Sequence, residues 1–147
     1  MKKPFTVLAT SVAVIAFLPL FGQKLPATKT AKTTVCRLAA APQQFDSTLV
    51  TLRARVESDG MHGAVLTEKA CPDKGVLLSF DKSSDNQSAT AFTNALFSGV
   101  PGTTDKEITG VFTGTFHWDK DKVPNRALTV HRISNLRVKK ISDPPIK

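Results

Sequence analysis

The sequence predicts a mainly β domain: five strands closing into a barrel, with one helix ahead of the first strand and another between the third and fourth. Three observations predict it. Apolar and polar residues alternate in LVTLRARVE and again in ITGVFTGTFHW, the period of strands with one buried face. Clusters of turn-forming residues separate the strand-like runs at short intervals. A single stretch inside this region, ATAFTNALF, carries its apolar residues at helical spacing instead.

Ahead of the domain, residues 1–22 read as an export signal. Lys2 and Lys3 form a basic start, and Phe5 to Phe21 is uncharged and mostly apolar. Thr6, Thr10 and Ser11 form no polar face and Pro19 would break a helix, so a buried core helix is the poorer reading. The apolar run is 17 residues long, short of the roughly 20 that span a bilayer. Cleavage near Gly22 or Ala27 is expected, with an uncleaved inner-membrane anchor over residues 5–21 as the alternative. Residues 23–33, QKLPATKTAKT, carry Lys24, Lys29 and Lys32 and almost nothing that can pack, the composition of a flexible tether. Residues 34–140 form the expected domain, and 141–147, with Pro144 and Pro145, a disordered tail.

Within the domain, Thr34 can cap a short helix in VCRLAAA, with Val35, Leu38 and Ala39 on its apolar side and Pro42 as its stop. Val50, Leu52, Ala54 and Val56 then alternate with Thr51, Arg53, Arg55 and Glu57 in the first strand. The turn Ser58 to Gly63, with its Asp-Gly pair, leads into AVLTE and makes a hairpin. Cys71 and Pro72 open the next turn before VLLSF, residues 76–80. The helix of ATAFTNALF follows, with Ser88 as its expected N-cap and Phe92 and Leu96 on its apolar side. The fourth strand sets Ile108, Gly110, Phe112, Gly114, Phe116 and Trp118 on one face, small and large residues alternating as in a tightly coiled barrel strand. In the fifth, ALTVHRISNLRV, the apolar parity changes between Val130 and Ile133, which points to a bulge.

Helix, three strands, helix, two strands is the order of the OB-fold barrel. The core resembles small exported bacterial OB-fold-like proteins over roughly residues 34–138. The resemblance rests on VCRLAAAPQQFD, the first strand, the hairpin ending in L-T-E-K-A-C and the G-V-F-T-G-T-F strand. It implies a fold and a compartment more than a function. A β-sandwich, the competing fold, would bring more strands and no internal helix.

The two cysteines, Cys36 and Cys71, are expected to pair, since an even count in a small exported domain reads as a structural disulfide. No C-x-x-C and no histidine at ligand spacing accompanies them. The chain's 147 residues carry 20 Lys and Arg against 12 Asp and Glu, a net charge of +8. Five of those lysines precede Thr33, so from Arg37 onward 15 basic residues face the same 12 acids, about +3. That weakens a nucleic-acid partner, which needs a concentrated basic face and exposed aromatics for stacking, whereas tyrosine is absent and most phenylalanines fall on inward positions.

Among catalytic signatures, the sequence has no G-x-S-x-G, H-E-x-x-H or Walker loop. His117 and His131 flank the last hairpin on polar faces and are the metal-ligand candidates if the register pairs them. No cofactor is implied. The expected function is therefore a non-enzymatic binding or assembly module of the cell envelope, periplasmic or secreted, meeting an envelope protein or anionic ligand. Its contact residues would be Arg53 and Arg55 on the first strand, Asp59 and His62 on the first hairpin loop, and Lys120 and Lys122 on the last, the loops that frame OB-fold ligands. The alternative is a small histidine-based, metal-dependent enzyme or hydrolase.

Overall fold

The computed structural model describes residues 29–58, 63–98 and 106–141. Its elements in chain order are β1 (Ala31–Lys32), α1 (Val35–Ala40), a single 3-10 turn (Pro42–Gln44), β2 (Leu49–Glu57), β3 (Val65–Thr67), β4 (Val76–Phe80), α2 (Asn86–Phe97), β5 (Lys106–Trp118) and β6 (Arg126–Lys140). The protein is thus mainly β, a six-stranded mixed sheet with two helices. The sheet runs β1-β2-β3-β4-β6-β5, and β5 also pairs with β2, so the hydrogen-bonded order from β2 onward returns to β2. The β1–β2 and β4–β6 pairs are parallel and the others antiparallel.

The strand count corrects the expectation of five. The additional strand lies inside the expected tether, where Ala31 and Lys32 pair with Val50 and Thr51 and the Thr33 amide donates to the Thr51 carbonyl at 3.0 Å. A segment poor in packing residues still offers backbone groups. The first half of β2 has an open edge before β3 joins it at Arg55, and β1 fills that edge. The export signal, residues 59–62, residues 99–105 and the tail from 142 onward lie outside the described residues. No described helix is long and apolar enough to cross a membrane.

The alternation in β2 and β5 delivers the core. Val50, Leu52, Ala54 and Val56 face inward from β2, and Ile108, Phe112 and Phe116 from β5, with Gly110 and Gly114 buried between them. Helix α1 buries Val35 and Leu38 and is capped as expected, the Thr34 hydroxyl accepting from the Arg37 amide at 3.2 Å. Helix α2 buries Phe92, whose ring meets Phe112 edge-on at 6.1 Å and Phe80 at 5.7 Å. Its N-cap is Asp85, three residues ahead of the expected Ser88. The Asp85 carboxylate accepts from the Ser88 amide at 3.1 Å, while the Ser88 hydroxyl accepts from the Ile133 amide and ties the helix to β6.

Strand β6 contains two register shifts against β5. Val130 pairs with Gly114 and Arg132 with Thr113, so His131 is the extra residue of the first; Ser134 pairs with Val111 and Arg137 with Thr109, so Asn135 and Leu136 form the second. The first is the bulge expected from the parity change. At the second, Asn135 adopts φ 52°, a left-handed conformation that asparagine tolerates. Gly114 is required by the first. A Cβ there would lie 2.2 Å from the Thr129 carbonyl oxygen, so only glycine lets β6 come this close.

The expected disulfide joins Cys36 at the start of α1 to Cys71 in the β3–β4 turn, the cross-link of an oxidising, exported compartment. The Glu68 carboxylate accepts from the Cys36 amide at 3.2 Å and reinforces the same junction.

Candidate functional site

Directly opposed residues of an antiparallel pair share a face, so the register of β2, β5 and β6 defines their outer surface. Arg55 lies opposite Thr109, which lies opposite Arg137. In the next rows Arg53 meets Val111 and then Ser134, and Thr51 meets Thr113 and then Arg132. Two columns of arginine, on β2 and β6, therefore flank an uncharged row on β5. All four arginines are exposed. The columns stand about 10 Å apart, two strand spacings, and the three rows extend over about 13 Å. Lys139 opposite Glu107 and Glu57 beside Arg55 close one end of the face.

Among the described residues the only ion pair on this face is Arg55 with Glu57, at 3.3 Å. Among the described residues Arg53 and Arg137 have no acidic partner, and Arg132 forms no ion pair but helps lower the Asp85 carboxyl, behind the hydrogen bonds from Ser88. By contrast, Lys122 pairs with Asp119 at 3.2 Å in the β5–β6 turn and Lys74 with Asp73 at 3.0 Å in the β3–β4 turn. The Asp73 carboxyl is held below its ordinary value by its hydrogen bond from Lys74, and that of Asp119 by the Asp121 amide and then Lys122.

Of the residues picked out in the sequence, Arg53 and Arg55 stand on the outer face of β2 as expected. Lys120 and Lys122 do not join them: their turn follows Trp118, seven residues beyond the Val111 that faces Arg53, roughly 20 Å along the strand. Asp59 and His62 lie outside the described residues. Arg132 and Arg137 are the members that sequence reasoning missed.

The histidines do not form a cross-strand pair, because the register sets His117 against Ala127 and His131 falls in the bulge. Half-buried His131 is instead the centre of a hydrogen-bond chain. Its Nε2 lies 2.8 Å from the Thr115 hydroxyl and its Nδ1 2.7 Å from that of Ser83. The Ser83 hydroxyl donates to the Asp81 carboxylate at 2.6 Å, so it accepts from Nδ1–H, and the bare Nε2 accepts from Thr115. Both ring nitrogens are thereby engaged, and a metal would have to displace a hydroxyl. The Asp81 carboxyl is held below its ordinary value by hydrogen bonds from the Ser83 side chain and then its amide. Beside this chain Ser79 and Thr129 place their hydroxyls 3.2 Å apart. The one cluster of three metal-ligand types among the described residues, Cys36, Glu68 and Cys71, has both sulfurs committed to the disulfide.

A groove of about 790 Å³ opens where β2 ends and β5 begins, between Glu57, Thr67, Lys74 and Lys106. Most of its charges are engaged within the chain, Arg55 with Glu57, Lys74 with Asp73 and Lys106 with Ser98, and Glu107 is the exception. The arginine face is thus a described surface where exposed arginines gather with one ion pair among four. No protein-family model matches the chain and no curated protein matches it, so its function is argued from this geometry.

Proposed function

We propose that the protein is an exported, non-enzymatic binding module, built on a closed OB-fold-like barrel, that holds an anionic partner at the cell envelope against the outer face of β2, β5 and β6. The fold part of this reading draws on the return of strand pairing from β5 to β2, the parallel β4–β6 pair and the helix between β4 and β5. The observation that carries the function is the pair of arginine columns, three of whose four members form no ion pair among the described residues. Exposed cations left without partners repel one another weakly and attract anions, and arginine's planar fork grips carboxylates and phosphates two bonds at a time.

The test compares two variants that each lose four charges: Arg53, Arg55, Arg132 and Arg137 to Gln, or Lys69, Lys74, Lys120 and Lys122 to Gln. On a sulfonated matrix the arginine variant should elute at clearly lower salt than the lysine variant, with an unchanged melting temperature. Equal elution would remove the face as a site.

A second reading, a small hydrolase, is favoured by one contact. With the ring in its neutral form and its proton on Nδ1, the Thr115 hydroxyl donates to Nε2 of His131, the relation of a nucleophile to its base. In that reading the Thr115 oxygen attacks an ester carbonyl while its proton moves to His131, which returns it to the departing alcohol. Incubation with an activated phenyl ester should then add an acyl group to Thr115, seen by mass; an unmodified chain rejects the hydrolase.

A further inference from the structure

The same face carries a second chemistry besides charge. Between and beside the arginine columns lie the hydroxyls of Thr51, Thr109, Thr113 and Ser134, and no Phe, Tyr or Trp stands in these rows. Thr51 and Thr113 bond to each other at 2.7 Å, which uses one hydrogen and leaves a second hydrogen and lone pairs open. Thr109 sits half-exposed between Arg55 and Arg137 with no partner among the described residues.

Resting on the reading of this face as an anion site, we propose that its occupant is an acidic polysaccharide, its carboxylates held by the arginines and its hydroxyls by the threonine row of β5. A ligand that supplied only charge would be served best by cations on the central strand. Strand β5 has none between Lys106 and His117, and presents Thr109, Val111, Thr113 and Thr115 outward instead. A bilayer surface attracts through charge density alone and gains nothing from that row. Single-stranded nucleic acid gains most from stacking, and these rows offer no Phe, Tyr or Trp ring. A chain of sugars bearing carboxylates matches both parts, since it carries charge and hydroxyl side by side, as the row Arg55, Thr109 and Arg137 does.

The experiment titrates the full chain with polygalacturonate (carboxylates and hydroxyls), polyacrylate (carboxylates alone), dextran (hydroxyls alone) and vesicles of phosphatidylcholine with phosphatidylserine in equal parts. Polygalacturonate should bind about tenfold more tightly than polyacrylate, the worth of one or two neutral hydrogen bonds. The double variant Thr109→Val and Thr113→Val should lose that preference and keep its polyacrylate affinity, which also shows that the face is still folded. Changing the four arginines to Gln should weaken both polymers, and dextran should not bind. Equal affinity for the two polymers, or no effect of the valines, overturns the polysaccharide. Tighter binding to the vesicles than to either polymer overturns it in favour of a membrane surface while the anion site stands. Arginine removal without effect on any probe overturns the site itself.

Discussion

Two polar regions share the outer surface of the sheet and meet at the first bulge of β6, and they use their side chains in opposite ways. Around His131 the polar groups satisfy one another: Thr115, His131, Ser83 and Asp81 form one continuous chain, and Ser79 meets Thr129 beside it. One residue further along β6, Arg132 begins a region where three of four arginines form no ion pair among the described residues. A closed network rigidifies the strand ends and the loop into α2, but it offers little to a ligand. The open region contributes little to folding and leaves its groups available. Function is therefore argued on the side where the chain does not satisfy itself, although the other side holds the residues that a search for catalytic types finds first.

The largest expected effect touches both regions equally. The disulfide staples α1 to the β3–β4 turn, away from either one. Replacing Cys36 and Cys71 by Ala should lower stability by about 3 to 4 kcal/mol in the chain-entropy account while leaving the contrast between the regions intact. Denaturant melts with native anion binding below the transition check this. Gly114→Ala should cost about 3 kcal/mol and erase the contrast, because the added Cβ meets the Thr129 carbonyl oxygen and pushes β6 away from β5. Both Arg132 and His131 sit on the displaced stretch, so anion binding and the His131 network should fail together. Retained binding in a destabilised Gly114→Ala would separate them.

The bulges also explain what the sequence could and could not reveal. Strict alternation in β2 and β5 made their buried faces legible residue by residue, and with them the outward Arg53 and Arg55. Strand β6 breaks that rule twice. Counting by twos from Val130 places Arg132 inward, and the extra residue at His131 turns it out. Counting by twos from Ile133 places Arg137 inward, and the second shift, with Asn135 at φ 52°, turns that one out as well. The sequence carried both signals, the parity change and an asparagine inside a strand, but neither tells which neighbour the strand pairs with. That pairing completes the face. The cap at Asp85 was missed because Ser88, an equally good capping type, stood nearer the apolar run. Strand β1 was missed because two residues, of which only Ala31 packs against the core, are too few to show an alternating pattern.

A smaller effect tests the contrast directly. His131→Ala leaves the Thr115 and Ser83 hydroxyls without their partner on a half-buried surface and should cost about 1 to 2 kcal/mol, with anion binding preserved. Its sequence neighbour Arg132→Gln should change stability by no more than about 0.5 kcal/mol and weaken anion binding. Parallel melts and polyanion titrations of the two variants give a crossed pattern if the regions are distinct. Equal losses in both measurements would mean that they act as one.

The smallest effect is a pH dependence that the closed region contributes through Asp81. The Asp81 carboxyl lies below its ordinary value in the folded protein because the Ser83 hydroxyl and then the Ser83 amide donate to it, and these bonds vanish on unfolding. The folded state therefore holds this proton less readily than the unfolded state does. The stabilisation is present above the unfolded value, near 3.9, and is lost as the pH falls through the depressed folded value. Asp85 behaves alike, its carboxyl lowered by the hydrogen bonds from Ser88. Both groups are exposed, so the effect is screened and small. Asp81→Asn should melt slightly below the native protein at neutral pH, and the gap should close in acid. A gap that stays constant from neutral pH into acid would show that the Asp81 charge does not stabilise the closed network.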